Sequence, residues 1–208
     1  MTVDEIVRRV RARSDRLASG LPVDQLPVDS DFSLNGVVPR PTVFSPAAVL
    51  MPLVTRDSGV TVLLTQRTED MPSHAGQVAF PGGRRQSEDA DAAATALREA
   101  WEEIGLERRF VEIIGAVDHY VTGTAFEITP VVGLVSPGFT TRADPREVAD
   151  IFEVPLDHFL DEKNHQVDSR TTPQGTNRRY YAMPYGKRYI WGATAGMLKN
   201  LQYILTAG

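Results

Sequence analysis

The chain has 208 residues, a length at which a single domain with one hydrophobic core is the default expectation. With 42% hydrophobic and 24% charged residues and no cysteine, the sequence excludes a wholly disordered chain, disulfides, thiolate metal sites and cysteine nucleophiles. The formal net charge of −5 argues against a broad basic surface for nucleic acid or membrane, while a local phosphate pocket stays allowed. The absence of cysteine fits a reducing compartment, and we predict a cytoplasmic location.

The N-terminal segment differs in pattern from the rest of the chain. Residues 3–18 combine arginines with apolar residues at helical spacing and predict an amphipathic helix that lies on the domain or on a partner subunit. Its acidic residues disfavour a targeting peptide, since such peptides are poor in acids. The prolines of 20–46 indicate an extended connecting segment. We therefore divide the chain into an N-terminal region, 1–46, and a main domain, 47–208.

The main domain alternates strands and helices. Apolar and β-branched runs predict strands at 47–54, 60–65, 78–80, 111–117, 126–135 and 148–154. Helical patterns occur at 91–104, with Asp89 or Asp91 as N-cap, and at 156–160 and 190–205. A hairpin is expected over 164–184 with Pro173, Gln174 and Gly175 at its tip. The fold class is α/β, with a mixed sheet covered on both faces.

The helix over 91–104 carries the chemical signal. Glu99, Glu102 and Glu103 fall on one narrow stripe of a helical wheel, while Trp101 and Ile104 fall on the opposite side, where we expect packing. Carboxylates four residues apart have Cβ atoms only about 5–6 Å from each other, and like charges at that spacing destabilise a helix. A hard divalent cation, Mg²⁺ or Mn²⁺, would remove that repulsion because it favours carboxylate oxygens.

Two glycines precede this helix and strengthen the interpretation. Gly82 and Gly83 allow a sharp turn and leave a backbone carbonyl to face the same ion. An acidic triplet alone would indicate a solvated face neutralised in part by Arg98. The combination of the triplet with a preceding Pro-Gly-Gly favours a metal site.

The segment 82–106 resembles the Nudix box, G-x5-E-x7-R-E-U-x-E-E-x-G-U, in which U is apolar. From Arg98 onward the pattern is matched throughout, except that Ala100 is a small apolar residue. In the first half the spacing from Gly83 to Arg98 is fifteen positions, where the general family has fourteen. The first glutamate of the box is replaced by Asp89 when counted from the glycine, or by Ala90 when counted from the arginine.

The longer spacing resembles one branch of the family, the coenzyme A diphosphatases. The upstream signature of that branch, LLTxR(S/T)xxLxxHxGxxxFPGG, is similar to residues 63–83. Met71 stands where the signature has its leucine before the histidine. Pro72 stands where bacterial members often have a basic residue. Further similar stretches lie at 128–133, 147–156 and 191–195.

The resemblance implies a Nudix-type α/β/α sandwich with a mixed central sheet, here preceded by an N-terminal helix. It implies metal-dependent hydrolysis of the diphosphate bond of coenzyme A or its acyl derivatives, giving 3′,5′-adenosine bisphosphate and (acyl-)4′-phosphopantetheine. Glu99 and Glu103 would be metal ligands, Glu102 a third ligand or a support through water, and Gly82 a carbonyl ligand. The proton acceptor would be Glu99 or Glu147, for which the alternative is a surface salt bridge with Arg146.

Substrate contacts are expected from four residues of the signature and the box: Arg67, His74, Gly82 and Gly83. For Arg67 the alternative is an exposed arginine at a strand end, and for His74 a hydrogen bond that orders its loop. A more remote basic group is either a phosphate contact or a solvated hairpin; it comprises Arg178, Arg179, Lys187 and Arg188. Trp191 and Tyr189 could stack on adenine, although such aromatics more often belong to the core.

Two alternative functions stay open at this point. The first is a Nudix hydrolase for another nucleotide, such as ADP-ribose or a dinucleoside polyphosphate. The second is a catalytically silent Nudix-fold binding module, against which the intact glutamate triplet counts. The expected partner is a small nucleotide, with no nucleic acid and no membrane, and a homodimer is left open.

Overall fold

A computed structural model describes residues 1–20, 30–31, 33–35, 43–71, 73–172 and 175–207. The helices are α1 (Val3–Ala18), α2 (Ala92–Ile104), α3 (Leu156–Leu160) and α4 (Ala193–Thr206). The strands are β1 (Ser45–Arg56), β2 (Gly59–Arg67), β3 (Val78–Ala79), β4 (Gly82–Arg84), β5 (Val111–Ala116), β6 (Tyr120–Val121), β7 (Phe126–Val135), β8 (Val148–Pro155), β9 (Gln166–Thr171) and β10 (Asn177–Ala182). Short 3-10 turns lie at Arg108–Phe110 and Glu162–Asn164.

The main sheet is mixed, as predicted. Its strand order is β3-β2-β1-β7-β5, with β4, β6 and β8 paired to β1, β7 and β2 respectively. Strands β1 and β7 run parallel, whereas β1 and β2 form an antiparallel hairpin. Strands β9 and β10 form a separate two-stranded sheet.

Strand β1 shows how the sheet comes to be covered on both faces. Successive strand residues point to opposite faces, so Leu50 and Val54 belong to the cluster under α2, while Met51 and Leu53 belong to the cluster under α1 and α4. All four side chains are fully buried. The resulting three layers confirm the α/β/α prediction.

Helix α1 lies on the domain, the first of the two placements expected for it. Thr2 and Glu5 form a capping box at its start. Ile6 and Val10 are fully buried in the main core. A salt bridge of 2.5 Å between Arg13 and Asp118 ties the helix to the segment after β5. Within the described residues, no helix is long and apolar enough to cross a membrane.

The structure corrects three sequence expectations. The last helix begins at Ala193 and not at residue 190, because Trp191 forms a bridge with Ala182 and Gly192 has a positive φ of 65°. Gly82 and Gly83 do not form the expected sharp turn, since they belong to β4, which pairs with β1. Trp101 is 56% exposed and does not pack inward.

Most of the predicted connecting segment, 20–46, lies outside the described residues, as do Pro173 and Gln174 of the hairpin tip.

Candidate functional site

Helix α2 is fixed at both ends by its own sequence. Asp91 is the N-cap, and its carboxylate accepts the backbone N–H of Ala94 at 2.7 Å. Gly105 ends the helix with a left-handed φ of 65°. Ala100 and Ile104 are fully buried against the sheet. This orientation turns the opposite side of the helix, with its glutamates, toward β4 and the end of β2.

Glu103 is the most buried of the three glutamates. Its side chain is 4% exposed, and it lies between the backbone N–H of Gly82, which donates at 3.4 Å, and the guanidinium of Arg67, 3.7 Å away. Burial raises its pKa to about 8; the negative charges of Glu147 and Glu99 act in the same direction, while Arg67 opposes them. A carboxylate therefore stands in an environment that disfavours its own ionised form.

Glu99 lies over strand β4 because position 83 has no side chain. A Cβ on Gly83 would stand 2.5 to 2.7 Å from the Glu99 carboxylate. Burial also raises the pKa of Glu99, against the effect of its hydrogen bond from Arg98. Glu102 is 53% exposed and accepts a hydrogen bond of 3.0 Å from the same arginine. Arg98 thus contacts two of the three glutamates.

Asp89 anchors that arginine and is buried itself. Its carboxylate accepts two hydrogen bonds from Arg98, at 3.0 and 2.9 Å, and one each from the Thr95 hydroxyl and the Gln86 backbone. These donors, chiefly Arg98, hold the pKa of Asp89 well below its usual range. The residue that departs from the Nudix box therefore supports the glutamate helix through Arg98.

Glu147 lies on the loop before β8 and approaches the same arginine as Glu103, Arg67. Its carboxylate lies 3.9 Å from a terminal nitrogen of Arg67, whose other terminal nitrogen faces Glu103. The predicted alternative, a salt bridge between Glu147 and Arg146, is wrong, since Arg146 pairs with Asp144 at 2.6 Å. Arg67 is also not an exposed strand-end arginine: its side chain is 20% exposed and its Nε is buried without a hydrogen-bond partner among the described residues.

The donor chemistry fits a hard divalent cation. Burial raises the pKa values of two carboxylates, Glu99 and Glu103, and the negative charges of neighbouring glutamates add to the effect. Within the described ranges, no three acidic or histidine side chains already converge on one point. The reason is visible in the contacts: Arg98 holds Glu99 and Glu102, and Arg67 faces Glu103. A cation at this site would exchange those guanidinium contacts for its own.

A cavity of about 450 Å³ opens beside these carboxylates. Four predicted substrate-binding residues line its near wall: Arg67, His74, Gly82 and Gly83. His74 has a φ of 58°, and its ring nitrogen lies 2.9 Å from the side-chain oxygen of Gln77, so the loop-ordering hydrogen bond is present. The same residue faces the cavity, and its contact with substrate stays a prediction.

The part of the lining that comes from the β9–β10 hairpin and Trp191, here called the hairpin wall, is basic and aromatic. Arg178, Arg179 and Trp191 line it, whereas Lys187, Arg188 and Tyr189 do not. Arg188 instead contacts Asp150 and Gln66, and Tyr189 donates a hydrogen bond to Asp168.

The lining residues that the sequence analysis did not single out include Arg84, Arg170 and Tyr180. The guanidinium of Arg84 lies 4.9 Å from the ring centre of Phe126. Arg84 could have been identified as a candidate from the sequence, because it directly follows the double glycine. No sequence pattern identified Arg170 and Tyr180, because their placement at the cavity depends on where the separate hairpin lies.

Comparison with known proteins gives the family. Residues 45–175 match the NUDIX domain model. An uncharacterized Nudix hydrolase NudL from Enterobacter sp. (strain 638) is 42% identical over 156 residues, covering 74% of this chain and 80% of the relative. The protein of that name from Yersinia enterocolitica is 39% identical over 168 residues, covering 78% and 85%. Among solved structures, a NUDIX hydrolase from Alicyclobacillus acidocaldarius has a TM-score of 0.48 at 20% identity and covers 77% of this chain and 91% of that one.

Proposed function

This chain belongs to the NUDIX family of hydrolases, and from that premise we propose that it cleaves the diphosphate bond of coenzyme A or its acyl derivatives. The products would be 3′,5′-adenosine bisphosphate and (acyl-)4′-phosphopantetheine. One observation carries the proposal: a single cavity is lined by Arg67, Gly82 and Gly83, which lie against the glutamates of α2, and also by arginines and aromatic rings of the hairpin. Such a cavity suits a substrate with a base at one end and several negative charges along its length.

Nudix enzymes generally use divalent metal ions, and this chain offers oxygen ligands for Mg²⁺ or Mn²⁺. We assign Glu99 and Glu103 as ligands, with Glu102 as a third ligand or a support through water and the carbonyl of Gly82 as a further donor. When bound, the ion lowers the pKa of water and neutralises charge on the phosphate oxygens. The raised pKa of Glu103 supports this assignment, since a cation would favour its ionised form.

The other residues would position the substrate and move the proton. Arg67 and Arg84 lie on the near wall of the cavity, where they would contact the diphosphate. Water attacks one phosphorus, the bridging P–O bond breaks, and the other phosphate leaves with the electron pair. Glu147 or Glu99 would accept the proton of the attacking water. Both carboxylates lie close enough to Glu103 to raise its pKa.

A substrate panel tests the proposal directly. The purified protein with Mg²⁺ or Mn²⁺ would be given coenzyme A, an acyl-coenzyme A, ADP-ribose and a dinucleoside polyphosphate, and kcat/KM would be measured for each. We expect coenzyme A or its acyl derivative to be cleaved fastest. If ADP-ribose or the dinucleoside polyphosphate were cleaved at least as fast, the coenzyme A assignment would be wrong. The cytoplasmic location and the homodimer stay predictions.

A further inference from the structure

Two arginines stand directly opposite each other on the β9–β10 hairpin. The antiparallel register pairs Arg170 with Arg178, and pairs Asp168 with Tyr180 one step further along the same face. Cβ atoms of directly opposed residues are about 4.5–5.5 Å apart, and like charges at that distance destabilise a hairpin. Both arginines line the cavity. Their face of the hairpin therefore carries concentrated positive charge toward the space where substrate would bind.

The two arginines differ in how their charge is compensated. Arg178 lies 3.2 Å from a carboxylate oxygen of Asp31. Arg170 has no carboxylate within salt-bridge distance among the described residues, and its guanidinium stacks instead on the ring of Trp191, with 4.9 Å between the guanidinium carbon and the ring centre. Among the described residues, the positive charge of Arg170 therefore has no carboxylate partner.

Aromatic rings border this pair on the same wall. The rings of Tyr180 and Trp191 are in contact, with 4.9 Å between their centres, and both line the cavity. Aromatic faces of this kind are the usual platform for a nucleobase, because every base has a π-face. The wall thus places an anion-binding pair next to a surface suited to a base.

We propose that Arg170 and Arg178 form a second anion site, which binds a phosphate monoester carried on the ribose of the nucleotide substrate, with the base against Tyr180 and Trp191. The inference rests on the proposed function. The diphosphate must reach the glutamates of α2, which lie against Arg67, Gly82 and Gly83, so another group of the substrate would meet the hairpin arginines. A ribose phosphate is nearly dianionic at neutral pH and matches the positive charge of Arg170, which no described carboxylate compensates, beside that of Arg178. The hairpin thereby selects nucleotides with this additional phosphate.

The test is direct binding without metal, so that it does not depend on turnover. Calorimetry would compare adenosine 3′,5′-bisphosphate with AMP as ligands. We expect the wild-type protein to bind the bisphosphate at least about tenfold more tightly, because hydrogen bonds to charged groups are strong. Arg170→Gln should lose that preference, and Arg170→Lys, which keeps the charge, should retain part of it. Arg109→Gln is the matched control, since Arg109 is exposed and pairs with Glu107 away from the cavity.

A second measurement separates recognition from a merely structural role. With metal present, Arg170→Gln should raise KM for coenzyme A by about tenfold with kcat little changed, and leave KM for dephospho-coenzyme A as in the wild type. Its melting temperature should not fall, since one of two opposed like charges has been removed.

Equal binding of bisphosphate and AMP by the wild type, or an undiminished preference in Arg170→Gln, would overturn the second anion site. Failure of the wild type to hydrolyse coenzyme A would instead overturn the proposed function. The binding experiment decides the anion site in either case, because it requires no hydrolysis.

Discussion

Two regions of the site, the α2 wall and the hairpin wall, are built in opposite ways. The glutamates of the α2 wall lie against Arg67, Gly82 and Gly83, and it is these three residues that line the cavity. On the α2 wall, Arg98 is surrounded by carboxylates and a carbonyl, and Asp89 beneath it accepts four hydrogen bonds. On the hairpin wall, Arg170 has an aromatic ring and no carboxylate partner among the described residues. In the α2 wall, the charged groups are already paired with each other before any ligand binds. In the hairpin wall, the positive charge of Arg170 is available to pair with a ligand. We infer that the α2 wall carries the chemistry and the hairpin wall the recognition.

Substitution of Glu103 by glutamine should have the largest effect and tests whether the chemistry belongs to α2. Glu103→Gln removes a negative charge that a cation needs, and we expect kcat to fall by about a thousandfold or more. The fold should persist, because the buried neutral amide replaces a carboxyl whose pKa is already raised to about 8. Steady-state kinetics with Mn²⁺ would measure the loss.

Glu107→Gln is the matched control for this experiment, since Glu107 follows α2 and pairs with the exposed Arg109, not with Arg67 or Arg98. If Glu103→Gln kept more than a tenth of wild-type turnover, the α2 wall would not be the reaction centre.

The pH dependence of metal binding is the next largest effect. The folded, metal-free protein keeps a proton on Glu103 up to about pH 8, and a cation must displace it. Affinity for Mn²⁺ should therefore rise by up to about tenfold per pH unit from pH 6 and level off above pH 8. Titrations at several pH values would measure it, and a flat profile would contradict the burial of this carboxyl as its cause.

The free energy of unfolding of the metal-free protein should decrease as the pH rises, whereas the affinity for Mn²⁺ increases. The unfolded chain releases the Glu103 proton near its ordinary pKa of 4.5, while the folded chain holds it to about 8. The stabilisation that comes from the protonated side chain of Glu103 is therefore complete below pH 4.5 and is lost as the pH rises toward 8.

The two glycines of β4 allow a sharper test of what the α2 wall needs. Gly83→Ala would place a Cβ 2.5 Å from a Glu99 carboxylate oxygen, at the end of a flexible side chain that can move. We expect kcat to fall about tenfold to a hundredfold with little loss of stability, because misplacing a catalytic group by about 1 Å is costly.

Gly82→Ala is the counterpart, since its Cβ would meet the backbone of Ala48 and Val49 at 2.5 and 2.6 Å. Here the free energy of unfolding should fall by about 1–3 kcal/mol. Thermal melts and kinetics on both variants would separate the effects, and a stability loss confined to Gly83→Ala would reverse the argument.

The smallest effect compares one aspartate from each wall. Asp89→Asn should lower the free energy of unfolding by about 1–3 kcal/mol, because a buried acceptor of several hydrogen bonds loses its charge. Asp168→Asn on the exposed hairpin, where the side chain accepts a hydrogen bond from Tyr189, should leave stability unchanged. Urea unfolding of both variants would show it. Equal losses would mean that the two walls are built alike.

The sequence predicted the elements that depend on local chemistry. The helix predicted over 91–104 is observed as α2, with Asp91 and Gly105 at its ends, because capping and apolar spacing involve only neighbouring residues. Trp101 shows the limit of the same reasoning. A helical wheel gives the direction of its side chain, but the tertiary structure decides whether another element packs on that side. Trp101 is exposed.

Sequence alone determined that three carboxylates share one side of a helix behind a double glycine, and with this pattern it determined the family. That their oxygens bind a metal ion stays a prediction. Tertiary structure alone decided that Glu103 is the buried one, that Glu147 meets it across Arg67, and that the hairpin arginines face the same cavity. The reason is physical: helical periodicity and caps arise within a few residues, whereas burial and the charges around a group depend on segments that are far apart in the chain and meet only when the sheet is assembled.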